Sequence, residues 1–244
     1  MTNQKIIFIA GACGAIGKRL CQILVNDGWS VVGTTRRAEK KSILKEIGVE
    51  PVIVDVFNEK VLTDVIRKVR PKVVIHQLTD LPFGLDPKKM EEALIRNARL
   101  REIGTRNLVT AATQAGVTRM IAQSIAFVYE PGPTPYMEES PLLNFADPVY
   151  GMTSKAVASL EQQVLESPLE GIVLRYGLLY GPGTGFDHAV PGFPPVHVDA
   201  AANAASLAIN HGTSGIYNVA EDTGIVSNKK ATDLLKWDAR FRLK

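Results

Sequence analysis

The run Lys5-Ile-Ile-Phe-Ile-Ala-Gly11-Ala-Cys-Gly14-Ala-Ile-Gly17-Lys-Arg-Leu20 constrains this chain more than any other segment. An apolar strand stops at a glycine, and Leu20, Ile23 and Leu24 then continue at helical spacing. Glycine at 11 permits a tight turn, glycine at 14 lets backbone approach a ligand, and glycine at 17 lets helix and strand pack closely. N–H groups at the start of such a helix are unsatisfied and sit at the positive end of its dipole, so they favour an anion. The spacing is G-x-x-G-x-x-G, one residue longer in its first gap than the common G-x-G-x-x-G. The reading assigns the backbone of Gly11, Cys13, Gly14, Ala15, Ile16 and Gly17 to a dinucleotide pyrophosphate, against an ordinary strand-to-helix turn as the alternative.

The rest of the chain alternates in the same way. Strands are expected near 5–10, 30–35, 51–55, 72–77, 118–124, 171–176 and 215–219, with helices at 16–27, 38–47, 58–69, 88–115 and 150–166. Such alternation implies an α/β, doubly wound parallel sheet of Rossmann type, with ligands beyond the carboxyl ends of the strands. Residues 1–244 are expected to form one domain, in which 177–244 contribute a small, shortened substrate region. Two irregular stretches rich in proline or glycine, 130–148 and 181–195, are the substrate loops in this reading.

Charge and cysteine usage exclude several classes. A net charge of +3 with scattered basic residues gives no argument for nucleic acid or an acidic membrane surface. Cys13 and Cys21 read as reduced thiols in a cytoplasmic protein, and the apolar start is too short and too soon broken by glycine to span a membrane. His76, His188, His197 and His211 are isolated, so no metal is expected.

The end of the second strand selects the cofactor. Val31-Val-Gly-Thr-Thr35-Arg36-Arg37 lacks the carboxylate that would accept bonds from an unmodified ribose and offers two guanidinium groups instead. Arginine forks match phosphate oxygens, so NADP(H) is expected over NAD. Asp55, after the third strand, either accepts a bond from the adenine amino group or opens the next helix.

Further segments, Asp55-Val56, His76-Gln77-Leu78-Thr79, Gly104-Thr105-x-Asn107-Leu108, Arg175-Tyr176-Gly177-Leu-Leu-Tyr180-Gly-Pro-Gly183 and His197-Val-Asp199, follow one another in a telling order. The chain resembles the extended, atypical short-chain dehydrogenases/reductases, in the NAD-dependent epimerase/dehydratase branch, and the resemblance spans nearly its whole length. It implies that Val56, Gln77, Leu78, Thr79, Tyr176 and Gly177 join the glycine loop, Thr35, Arg36, Arg37 and Asp55 around the dinucleotide. It also implies a catalytic triad. Tyr150 would move the hydroxyl proton, Lys155 would hold the ribose and lower the tyrosine pKa, and Ser124 would orient the substrate carbonyl.

Two of those three positions depart from the family's pattern. With Tyr129 matched to the family's aromatic, the hydroxyl position falls on Ile125 and Ser124 is one residue early. In Tyr150-Gly-Met-Thr-Ser154-Lys155 the lysine is fifth after tyrosine, where the family has it fourth, which turns it by about 100° on a regular helix. Two classes of function follow. One is an NADP(H)-dependent oxidoreductase moving hydride to or from a small carbonyl or alcohol, and the other a dinucleotide-binding regulatory protein with a degraded triad. A sugar-nucleotide epimerase or dehydratase is disfavoured because only thirteen residues separate Gly183 from His197. The helices at 88–115 and 150–166 are long enough to pair in a homodimer.

Overall fold

The structure, a computed structural model, describes residues 5–243. Seven parallel strands form one sheet in the order β3-β2-β1-β4-β5-β6-β9, where β1 is Ile6–Ala10, β2 Ser30–Thr35, β3 Glu50–Ile53, β4 Val73–His76, β5 Arg119–Ile125, β6 Glu170–Tyr176 and β9 Gly215–Val219. The strand order reverses direction between β1 and β4, and a crevice opens there above the carboxyl ends. A separate pair, β7 (Leu178–Tyr180) with β8 (Pro195–His197), extends the region beyond β6.

Alternation along the strands divides the core between the two faces. Ile7 and Ile9 of β1 meet Leu20 and Leu24 of α1 (Ala15–Asn26) in one buried cluster, which also takes in the alanines of α7 (Val198–Leu207). Phe8 and Ala10 point the other way, toward Leu62 and Ile66 of α3 (Glu59–Val69) and Leu108 and Ala111 of α5 (Thr105–Gln114). The doubly wound architecture expected from the sequence is thus present, with both faces covered.

Several elements differ from expectation, among them the β7–β8 pair and a π turn at Ala231–Leu235, neither of which the sequence suggested. The stretch expected as a helix over 38–47 is a 3-10 turn, Ala38–Lys40, followed by the short α2 (Lys41–Glu46). The long helix expected over 88–115 runs as α4 (Pro87–Arg99), a π turn at Leu100–Gly104, and α5. Helix α7 was not anticipated at all, since Val198-Asp-Ala-Ala-Ala-Asn-Ala-Ala-Ser-Leu207 is small and apolar on most sides and carries no amphipathic period. Trp237 is buried against this helix, its indole N–H donating to the Ala200 carbonyl at 2.8 Å, and so ties the C-terminal segment to the core. Among the described residues no helix is long and apolar enough to cross a membrane.

Candidate functional site

A cleft of about 560 Å³ lies over the carboxyl ends of β1, β2, β4, β5 and β6. Gly11, Cys13, Gly14, Ala15 and Ile16 form part of its wall. Gly11 has φ +95°, and a Cβ there would stand 2.5 Å from the Gln77 carbonyl oxygen; only glycine lets the turn pass under β4. Gly17 faces away from the cleft in function, because a Cβ on it would come within 2.2 Å of the Gly11 carbonyl oxygen and push α1 off the turn. Helix α1 starts after Gly14 with no side-chain cap and no acidic residue in its first turn. Its leading N–H groups are therefore left for an anion.

Beyond the end of β2, Thr35, Arg36 and Arg37 line the same cleft, joined by Lys40, which the sequence reading had not singled out. The Thr35 hydroxyl oxygen accepts from the Arg37 N–H at 3.1 Å and fixes the turn out of β2. Arg36 is 3.9 Å from Asp80 at an exposed position, so the pair holds the guanidinium only weakly. Val56 lines the cleft, but Asp55 does not. It is exposed, and its carboxylate accepts from the Phe57 N–H at 3.0 Å, the turn-opening alternative.

The floor is built by the ends of β4 and β6. Gln77, Leu78, Thr79, Tyr176 and Gly177 all line it. The Gln77 side-chain N–H donates to the Tyr176 hydroxyl at 3.3 Å, while the Gln77 amide oxygen is buried without a partner. Burial pushes the Tyr176 phenol well above its ordinary pKa, so it stays protonated, with its own hydrogen uncommitted. His76 accepts from the Leu78 N–H through Nδ1, so Nε2 carries the hydrogen and faces Thr105 Oγ1 at 3.1 Å. Burial, and secondarily the charge of Arg101, lowers its pKa to about 4, which makes it a neutral structural imidazole.

The three triad residues do not converge. Ser124 pairs in register with Arg175 and Ile125 with Tyr176, so Ser124 and Arg175 share a sheet face, the one covered by α6 (Gly151–Leu165). There the Ser124 hydroxyl donates to Glu161 at 2.7 Å, and Arg175 grips the same carboxylate with two bonds of 2.8 and 2.7 Å. Burial alone would lower the Arg175 pKa, but the bonds and charge of Glu161 more than reverse this and hold it cationic. Tyr129, whose hydroxyl donates to Asn218 and accepts from Arg175 at 3.0 Å, belongs to the same buried network. Ser124 touches the cleft edge, yet its hydroxyl is spent on Glu161.

Tyr150 is 56% exposed at the start of α6, and Lys155 is exposed one and a half turns further on; neither lines the cleft. The fourth position after the tyrosine, Ser154, points inward and donates to the Leu143 carbonyl at 2.6 Å. The extra residue is therefore not absorbed by a wide turn, and the helix carries the lysine round to solvent. Tyr180 is likewise occupied, its hydroxyl donating to Glu221 at 2.7 Å.

Sequence reasoning missed Arg101, which the π turn sets into the cleft wall more than nine-tenths buried. The signal was present: Arg101 stands four residues after Asn97, four before Thr105 and seven before Leu108, all buried, and so on the inward stripe. Phe127 and Phe186 line the outer end of the cleft beside Ile125, Leu178 and Leu179. Over the mouth, Gly84 and Gly185 approach so closely that a Cβ on Gly185 would lie 2.4 Å from the Gly84 Cα. Among the described residues no three His, Cys, Asp or Glu side chains cluster as a metal site.

A doubly wound sheet with a glycine turn at its switch point is a fold of the dinucleotide-binding, Rossmann type. The NAD dependent epimerase/dehydratase family matches residues 7–214, and the chain belongs to it. It is 37% identical over 236 residues to a 3-diazoavenalumate denitrifying reductase from a Streptomyces species, covering 88% of this chain and 76% of that one. Among solved structures it superposes on a UDP-glucose 4-epimerase from Thermotoga maritima with UDP-glucose at a TM-score of 0.78 and 19% identity, over 97% of this chain and 94% of the other. The Bordetella bronchiseptica enzyme WbmG in complex with NAD aligns at 0.76 with 16% identity, over 99% and 91%. At such identities these structures speak for the fold alone.

Proposed function

We propose that this protein is an NADPH-dependent reductase that passes hydride to a small electrophilic acceptor without a tyrosine–lysine proton relay. The observation that carries this reading is the division of the site. The glycine turn, the uncapped start of α1 and Arg36 and Arg37 share one cleft, whereas Tyr150 and Lys155 stand outside it. The residues present fit the cofactor: a Cβ at Gly11 would fill the place backbone needs, the first turn of α1 is uncapped, and the Gln77 amide oxygen lacks a partner. When bound, the nicotinamide supplies the hydride.

The chain's own residues do the rest. The leading N–H groups of α1 take the pyrophosphate, and Arg36 and Arg37, with Lys40 beside them, take the ribose 2′-phosphate. Ile125, Phe127 and Phe186 keep water from the reacting end. Tyr176 keeps its hydroxyl hydrogen free, since its oxygen accepts from Gln77, and can donate to oxygen where charge develops in a carbonyl acceptor. An aryl diazonium acceptor needs less still, because hydride attacks carbon, dinitrogen leaves with the bonding pair, and no proton enters the balance. The diazo compound in the Streptomyces relative's name supports the inclusion of that class. A nucleotide sugar is disfavoured by the thirteen residues between Gly183 and His197, too few to enclose its distal half.

Fluorescence titration with NADPH and NADH, followed by NADPH oxidation at 340 nm against aldehydes, ketones, enones and aryl diazonium salts, tests the reading. Preferential NADPH binding and turnover that survives Tyr150→Phe are expected. Turnover abolished by that change would restore Tyr150 to the mechanism, and binding of neither cofactor would overturn the reading.

A further inference from the structure

Arg101 is the one cleft-wall cation placed deep in the protein. Arg36, Arg37 and Lys40 sit at the solvent edge, whereas Arg101 is 8% exposed and lines the cleft from beneath, between the β4 and β5 ends. Among the described residues its guanidinium has no hydrogen-bond acceptor and no ion-pair partner. Glu161, whose charge acts on it from nearby, spends its hydrogen bonds on Arg175 and Ser124 and makes none with Arg101. His76, the neighbouring ring, is neutral, and burial lowers the Arg101 pKa only to about 10, so the group remains charged. Its nitrogens are not among the enclosed side-chain atoms that lack a partner, so the guanidinium opens into the cleft, where an anionic ligand group would replace water beside it.

The backbone is arranged for that orientation. Arg101 continues the inward stripe that Asn97 begins, and the helix widens there into a π turn, Leu100–Gly104. Val56 and the Leu100 side chain crowd Gly104 so tightly that a Cβ there would lie 2.9 Å from Leu100 Cδ1. The turn is therefore held in place by packing.

We infer that Arg101 binds a carboxylate of the acceptor, so that this reductase selects small substrates carrying one carboxylate on an apolar, planar body. The inference rests on the proposed reductase reading of the cleft. A single guanidinium fork matches a carboxylate with two parallel bonds, while the walls nearest the reacting end, Ile125, Phe127 and Phe186, suit an apolar body. A phosphate-bearing substrate fits less well, because Arg101 has no second cation or helix N-terminus beside it to share a second negative charge. The cofactor's own phosphates have the α1 N-terminus and Arg36–Arg37 elsewhere in the cleft.

Calorimetric titration of the NADP-loaded protein with benzoate and cinnamate, each against its neutral amide, tests the inference without a variant. Each carboxylate is expected to bind at least about tenfold tighter than its amide, the scale of a charged bidentate contact. In Arg101→Met that preference falls to about twofold or less. Arg101→Gln, closer in shape and polar, gives the same result should the methionine variant fold poorly. NADPH affinity is expected to stay within about threefold in both variants. Equal binding of acid and amide by the wild-type protein, no measurable binding of either acid, or a preference that survives both variants would overturn the inference. Loss of NADPH affinity together with the preference would also overturn it, by assigning the guanidinium to a cofactor phosphate. Failure of the wild-type protein to bind NADPH would instead strike the reductase reading itself.

Discussion

The two ends of the cleft were solved by different means. At the phosphate end, one continuous segment supplies nearly everything: β1, the glycine turn and the first turn of α1 are sequence neighbours, and their geometry follows from where side chains are missing. At the reacting end, β5, β6, α6 and the π turn each contribute one piece, and the residues that resemble a triad are diverted. Ser124 serves a buried ion pair, and Tyr150 and Lys155 face solvent. A binding function written locally survives small insertions elsewhere. A side-chain constellation assembled from distant elements is dispersed by one extra residue in a helix.

If Ser124, Glu161 and Arg175 are scaffold and not machinery, their removal should cost stability first. Glu161→Leu leaves Arg175 buried and unpaired, and urea denaturation should show a loss of about 3–5 kcal/mol. Ser124→Ala, which removes only one bond to that carboxylate, should cost about 1 kcal/mol with turnover retained. A large fall in turnover at unchanged stability would break the comparison by making Ser124 catalytic.

The phosphate end should respond in affinity and not in stability. Replacing Arg36 and Arg37 together by alanine is expected to weaken NADPH by about 100-fold, two charge-assisted contacts, and NADH by about twofold. Equal weakening of both cofactors, read by fluorescence titration, would remove the arginines from 2′-phosphate recognition.

Acid should find the floor between the two ends. His76 has a folded pKa lowered to about 4 from 6.5, so between these values the unfolded chain binds the proton that the folded one refuses. Its contribution is fully favourable above pH 6.5 and is lost as pH falls toward 4, amounting to about 2.5 kcal/mol near pH 4.5. Denaturation curves at the two pH values, compared with those of His76→Gln, should show a shallower slope in the variant. The smallest effect is expected at the displaced triad: Tyr150→Phe and Lys155→Met, both exposed, should each change stability by under about 0.5 kcal/mol. Initial rates of NADPH oxidation should stay within about twofold of wild type, and a larger fall would return these residues to the chemistry.

What the sequence disclosed follows the same division. Strand β1 and helix α1 were readable because an unbroken apolar run stops at a glycine and a period of 3.6 begins beyond it. The parallel, doubly wound sheet followed from the alternation of elements, whereas its strand order came only with the structure. Helix α7 escaped because alanine on nearly every side erases the amphipathic signal, although it is that smallness which lets it lie against α1. The placement of Lys155 was legible only as a conflict between a motif and a helical period, and the period won. Asp55 offered two roles with one sequence, and its exposed position with a bond to the Phe57 N–H supports the turn.

The glycine turn also leaves the molecule with one addressable thiol. Of its two cysteines, Cys21 is fully buried, with its pKa pushed to about 12, while Cys13 is half-buried and lines the cleft between Gly11 and Gly14. A thiol-directed label should therefore enter once per folded chain, at Cys13. A phosphate seated on the first turn of α1 would shield that sulfur, so the labelling rate serves as an occupancy gauge for the cradle that works whatever the acceptor proves to be.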